Sequence, residues 1–343
     1  MKSLNSIGIA MAFLVLGPVC AGPAAALDEV SFGTNWVAQA EHGGFYQALA
    51  DGTYEEFGLD VTIRQGGPQV GNRSLLIAGQ LDFYMGGNLI EPFNAVKEGI
   101  PTIVVAAMFE KDPQVLLAHP DQGIERFEDL AELETIFLSN YGYISFFQWI
   151  LAEYEGFSEE QHRPYAFNPT PFIVDPRSAQ QGYVTSEPYQ IEREAGWSPK
   201  IFLLADHGFD TYSTQIETRH ELVEDRPDLV QRFVDASIIG WYTYLYGDNT
   251  AGNALIKEHN PEMTDDLIAY AIDKMKDYGI VDSGIAREKG MGCMTEERVR
   301  SFFERMVAAG VTDGDIDPTR AFTSQFVCQG VGLGLRAELT DGD

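Results

Sequence analysis

Apolar and polar positions in this chain fall into short alternating blocks, and the first third shows the order most plainly. A strand begins at Val30, and a polar turn carrying Asn35, Trp36 and His42 follows it. Gly43 and Gly44 then open a helix rich in small and aromatic residues. Alternation over 60–64 predicts a second strand, a Gly-Gly-Pro turn follows, the spacing over 70–78 predicts a second helix, and Asp82 begins a third strand. That is β-α-β-α-β. In open α/β sheets ligands sit at the carboxyl ends of strands, so the turn 35–44 is the first place to seek one.

Farther along, the pattern predicts a helix over 88–97 and strands over 101–108 and 114–118. Strands over 135–139, 164–168, 181–185 and 200–205 follow, with helices over 143–154 and 188–195 among them, the latter starting on a proline. A strand over 211–218 and four helices (227–246, 251–259, 264–278 and 295–309) lead to a Gly- and charge-rich tail expected to be partly disordered.

Composition narrows the partners. The 343 residues, 45% hydrophobic and 22% charged, leave room for two domains. A formal net charge of -29 repels nucleic acid and anionic lipid, so neither is expected as a partner. Met1 and Lys2, an apolar run over 7–16 and Ala24, Ala25 and Ala26 read as a signal peptide (1–26) cleaved after Ala26. The run is too short to span a bilayer. Val19 stands before Cys20 where a lipid-anchored cysteine would have a small residue. A periplasmic protein is expected. Its two remaining cysteines, Cys293 and Cys328, form one disulfide in such a compartment or stay as two buried thiols.

Several side chains could carry chemistry. An indole at Trp36 can stack on a flat heterocycle or fill a core, and the Asn35 amide can pair with a ring nitrogen and an exocyclic amine. His42 is a pocket residue or a structural histidine. The six histidines are scattered without paired spacing, so no metal site is expected. Gly43 allows close backbone approach or simply shapes the turn. Gly66, Gly67 and Pro68 lack the Lys-Ser/Thr pair of a phosphate loop, and Arg73 reads as a helix-surface arginine. Asn88 and Glu91 begin a helix at a strand end. Glu187, opening a helix beside Tyr189, is a cap favoured by the helix dipole or an acceptor for an amine and a protonated ring nitrogen. Tyr141, Tyr143 and Tyr212 stand at strand ends or hinge. No catalytic spacing is visible, so neither enzyme activity nor a cofactor is expected.

The segments GTNW, HGGFYQA, YEEFGLDV and LIAGQLDF resemble the start of an ABC-transporter solute-binding protein, of the branch that binds thiamine pyrimidine precursors and is related to the fungal pyrimidine synthases. Other relatives of that superfamily bind sulfonates, taurine, nitrate or riboflavin. The resemblance implies an α/β fold, a two-lobed type II periplasmic binding protein clamshell, with lobe one from 27–119 and 210–343 and lobe two from 120–209. It implies a monomer that hands a small ligand to ABC permease subunits in the inner membrane. It also raises Asn35, Trp36, His42 and Glu187 as ligand-binding residues. Hydroxymethylpyrimidine or formylaminopyrimidine is the expected cargo, since acids and aromatics outnumber basic residues in the suspected cleft turns. In the synthases, a lysine holding pyridoxal phosphate and a substrate histidine pair here with Gly87 and Glu91, and no cysteine motif occurs near 211–217. The departure favours a binder over a synthase.

Overall fold

The computed structural model describes residues 26–67 and 70–340. The expected leader, apart from Ala26, lies outside the described residues, as do Cys20 and Pro68. Ten strands form two five-stranded sheets among the described residues. The first has the order β2-β1-β3-β10-β4, from β1 (Asp28–Gly33), β2 (Leu59–Arg64), β3 (Phe83–Asn88), β4 (Thr102–Phe109) and β10 (Ser213–Arg219). The second has the order β7-β6-β8-β5-β9, from β5 (Gln114–Ala118), β6 (Thr135–Leu138), β7 (His162–Pro164), β8 (Ser178–Tyr183) and β9 (Lys200–Leu203). With helices around both sheets, the molecule is a two-lobed α/β clamshell.

The chain crosses between lobes twice, after β4 and after β9, and each crossing is followed by an antiparallel strand. β5 pairs antiparallel with β8 and β9, and β10 antiparallel with β3 and β4. The expected boundary at 119 therefore moves to the segment 110–113, because β5 belongs to the second sheet. Its apolar run, buried throughout, reveals a strand but not which sheet receives it.

Local differences have local causes. The expected strand over 164–168 stops at Pro164 in β7, whose proline lacks the N–H that would extend a ladder. The expected helix over 143–154 starts with a π-helical turn, Tyr143–Phe147, before the α-helix Gln148–Glu153. Such turns are frequent at functional sites. The tail is ordered as the helix Leu333–Thr340, because Arg336 Nε donates to Asp282 Oδ2 at 2.7 Å and the Tyr246 hydroxyl donates to the same oxygen at 2.6 Å.

In the first lobe, the apolar face of β2 (Leu59, Val61, Ile63) joins β1 and β3 against the long helix Pro227–Tyr246, where Phe233 stacks on Phe83 at 4.1 Å. That helix crosses the helix Gly43–Ala50 closely. A Cβ on Gly240 would lie 2.3 Å from the Gly44 carbonyl oxygen. β4 is a sheet edge whose eight residues are all buried. Two C-terminal segments cover it: Ala107 N–H donates to Gly292 O at 3.1 Å, and Thr323 N–H donates to Val104 O at 2.9 Å. The Cys293–Cys328 disulfide, spanning 35 residues, ties these two covers together. Closing a loop of that length stabilises by about 3–4 kcal/mol in the chain-entropy picture. Cys293→Ser is expected to lower stability by roughly that amount, read as a lower urea midpoint; an unchanged midpoint would show that β4 needs no staple.

Candidate functional site

The turn after β1 is fixed from several sides. Thr34 Oγ1 donates to Trp36 O at 2.7 Å, and Gly66 N–H donates to Trp36 O at 3.0 Å. Asn72 Nδ2 donates to Thr34 O at 2.9 Å, Gln65 Oε1 accepts from Ala38 N–H at 3.1 Å, and Asn260 Nδ2 donates to Ala38 O at 2.8 Å. Gly66 has to be glycine here, because a Cβ would lie 2.4 Å from Thr34 O. The result is a rigid platform that presents Asn35 and Trp36, both half-buried, at the strand ends.

Four contacts bring the lobes together over this platform. Trp36 packs on Phe167 of the second lobe, ring centroids 4.9 Å apart. Phe167 holds φ at 58°, a costly conformation for a bulky side chain that aims it across the gap. Thr185 Oγ1, just beyond β8, donates to Glu41 Oε1. Tyr189 meets Tyr270 of the helix Asp265–Asp277, centroids 5.3 Å apart. Tyr141 reaches back to β3, its hydroxyl 3.4 Å from where a side chain at Gly87 would place its Cβ. Tyr141 as a whole remains 40% exposed at the gap between the lobes, while its hydroxyl end lies against β3.

Acids and tyrosines cluster around these contacts. Glu41 is only 3% exposed, and burial pushes its carboxyl above the ordinary range against the Thr185 hydroxyl. Glu187 comes from the other lobe. Its Oε2 accepts from Tyr183 N–H at 2.7 Å, and Gly182 admits it, since a Cβ there would lie 2.8 Å from the Glu187 Cβ. Burial pushes Glu187 up to about 7, with the Glu41 charge adding to the effect and the Tyr183 N–H opposing it. Burial also pushes up the Tyr183 and Tyr141 hydroxyls, helped by the carboxylates of Asp112 and Glu41 around Tyr183 and of Glu91 and Asp112 around Tyr141. Burial pushes His42 down to about 3, so its imidazole is neutral, and its Nδ1 has no partner. Arg73, the arginine that reaches this region, gives a two-pronged pair to Glu217 at 2.9 and 2.7 Å and lies 4.0 Å from Glu91. It is thus a paired, largely buried arginine and not the expected surface one.

The expected site residues divide accordingly. Trp36, Tyr141 and Glu187 lie at or beside the contacts between the lobes, Asn35 stands next to Trp36 on the platform, Glu91 lies beside Arg73, and His42 is buried next to Glu41 in sequence. Gly43 packs under the long helix instead, a Cβ there falling 2.1 Å from the Tyr244 ring carbon that bears the hydroxyl. Asn88 is buried, its Oδ1 accepting from Ile90 N–H at 3.1 Å and its side chain bonded to Asp112 at the first crossing. Tyr212 is in the hinge, under the Arg298 guanidinium at 4.2 Å, with its hydroxyl accepting from Thr295 N–H at 3.1 Å. Tyr189 is taken up by Tyr270 at the lobe margin. Glu41, Thr185, Tyr183 and Phe167 were not singled out beforehand. Glu41 had a signal, a lone acid in the small and apolar run AQAEHGGF; the others show none.

Residues 39–247, more than half of the chain, match the family described as NMT1/THI5 like. The chain belongs to that family. A relative of this NMT1/THI5-like chain, the riboflavin-binding protein RibY of Chloroflexus aurantiacus, is 22% identical over 306 residues, which is 88% of this chain and 86% of that protein. Among solved structures, the periplasmic aliphatic sulphonate binding protein SsuA from Escherichia coli superposes with a TM-score of 0.62 at 14% identity, covering 86% of this chain and 92% of that one. The periplasmic nitrate-binding protein NrtA from Synechocystis PCC 6803 gives 0.56 at 11% identity, over 91% and 90% of the two chains. At such identities the structures establish the fold, that of the periplasmic binding proteins.

Proposed function

We propose that this NMT1/THI5-like protein is the periplasmic solute-binding component of an ABC importer. Its cargo is a small flat nitrogen heterocycle, and a thiamine pyrimidine precursor is the specific choice. The observation that carries this reading is the lining of the inter-lobe space, where Trp36 and Phe167 offer ring faces and Glu41, Glu187 and several tyrosines offer acceptors. An aminopyrimidine brings a ring face to the first set and N–H donors to the second. A sulfonate or nitrate would instead meet carboxylates, with Arg73 already held by Glu217.

A riboflavin-type solute is the second reading, carried by the likeness to RibY over most of both chains. The pyridoxal phosphate of the related synthases does not suit the residues present. The position paired with their lysine is Gly87, and the Tyr141 hydroxyl already stands against it.

A calorimetric screen of the mature protein against aminopyrimidines, riboflavin, alkanesulfonates and nitrate tests the reading directly. Binding confined to aminopyrimidines is the expected result. Glu187→Gln should then weaken binding by about 1.5–3 kcal/mol, the size of a hydrogen bond to a charged group. An unchanged dissociation constant would remove Glu187 from the site, and binding of sulfonate alone would sink the cargo.

A further inference from the structure

Glu41 and Glu187 come from opposite lobes: Glu41 accepts from the Thr185 hydroxyl, two residues before Glu187, and Glu187 feels the Glu41 charge. Among the described residues, none of the groups acting on them brings a positive charge to offset theirs. Glu41 faces Thr185 and Tyr183 from the second lobe, Tyr244 from the long helix and the neutral His42 beside it. Glu187 faces the Tyr183 N–H and Tyr165, whose hydroxyl senses its charge. Two further polar atoms are buried beside Glu41 without partners, the Tyr244 hydroxyl and His42 Nδ1. Unpaired polar atoms around a buried acid indicate a place shaped for something that donates. Two carboxylates that share a buried space cannot both remain charged without a cation between them.

Building on the cargo reading above, we infer that Glu41 and Glu187 together accept a single positive charge shared between the lobes. The cleft therefore selects heterocycles with a protonatable ring nitrogen beside an amine. A ligand that is neutral in solution enters with uptake of one proton from water. That proton ends on the ring nitrogen or on one of the two carboxyls, and no other bond changes. A ring N–H and an amine N–H donate to the two acids, so the ligand itself bridges the lobes where Thr185 and Glu41 already meet. Glu41 is then a specificity-determining residue, and a neutral ring lacking the basic nitrogen is rejected.

The test is calorimetry of the mature protein with 4-amino-5-hydroxymethyl-2-methylpyrimidine at pH 6, 7 and 8, in pairs of buffers that differ in ionisation enthalpy. The expected result is uptake of close to one proton per ligand at pH 8 and a near tenfold loss of affinity from pH 7 to pH 8. In Glu41→Gln, which keeps the size of the side chain and an acceptor for Thr185, uptake should fall by at least half and the pH dependence should flatten. Binding without proton uptake, or uptake unchanged in Glu41→Gln, overturns the inference. If no aminopyrimidine binds, the cargo reading fails, and the acid pair is then judged on the ligand-free protein. Carbon-13 titration of the Glu41 and Glu187 carboxyls, assigned with Glu41→Gln and Glu187→Gln, should show two coupled steps with one proton retained to about pH 7. Independent titration of both carboxyls in the ordinary range overturns the pair. The Glu187 proton sets the sign of stability: the folded state holds it from 4.5 to about 7 while the unfolded chain releases it, so this contribution falls as pH rises through that window.

Discussion

Arg298→Met should destabilise the protein by about 3–5 kcal/mol, the usual result of leaving a buried charge without its partner. Arg298 projects from the helix Glu296–Ala308 into the gap between the two crossings. Its guanidinium donates to the Glu110 carboxylate at 2.8 Å and the Glu110 carbonyl at 2.5 Å in the first crossing, and to Asp210 Oδ1 at 2.7 Å in the second. It also covers the Tyr212 ring. One planar fork thus fastens both crossing segments to each other. Lysine has a single point charge and cannot reach these acceptors together, so Arg298→Lys should recover only part of the loss. The double change Arg298→Met with Glu110→Met, which removes both charges, should recover most of it. Urea denaturation measures all three. A loss below about 1 kcal/mol in Arg298→Met would place the group among solvated surface pairs and remove it as a clamp.

How much of this was legible beforehand depended on the range over which each feature is decided. The helix Pro227–Tyr246 was read end to end, because a proline at its first position and an apolar stripe are local signals. β5 was read with its bounds correct and its lobe wrong, since pairing with β8 and β9 is not written within five residues. Trp36 and Glu187 stood out as unusual residues at strand ends. Glu41 was passed over, although it bonds Thr185 across 144 positions of sequence. Tyr212 was read at a strand end or hinge and offered for the ligand; it stands in the hinge, where Arg298 covers its ring and Thr295 N–H takes up its hydroxyl. Local pattern gives elements and the ends of strands; which side chains face each other across a cleft is settled by the packing of distant segments.

Arg73 is the same lesson with a functional consequence. Its partner Glu217 is also 144 positions away, on β10, and that carboxyl is only 2% exposed. Arg73→Met should therefore cost about 3–5 kcal/mol of stability, because Glu217 would be left buried and unpaired. Arg73→Met combined with Glu217→Met should regain most of that, since apolar pairs of similar volume replace buried ion pairs at little cost. The double variant separates the cargo readings. If the ligand is a nitrogen heterocycle held by Glu41 and Glu187, Arg73 makes no charge contact with it, and affinity should stay within a few-fold of the parent protein. If the ligand is instead a sulfonate or nitrate held by Arg73, which has Glu91 and Tyr84 beside it, binding should collapse in a protein that still folds. Calorimetry on the stable double variant reads the difference without confusion from unfolding. Retained aminopyrimidine affinity would leave Arg73 as a buttress beneath β10, while loss of binding at full stability would transfer it to the ligand and reverse the charge expected of the cargo.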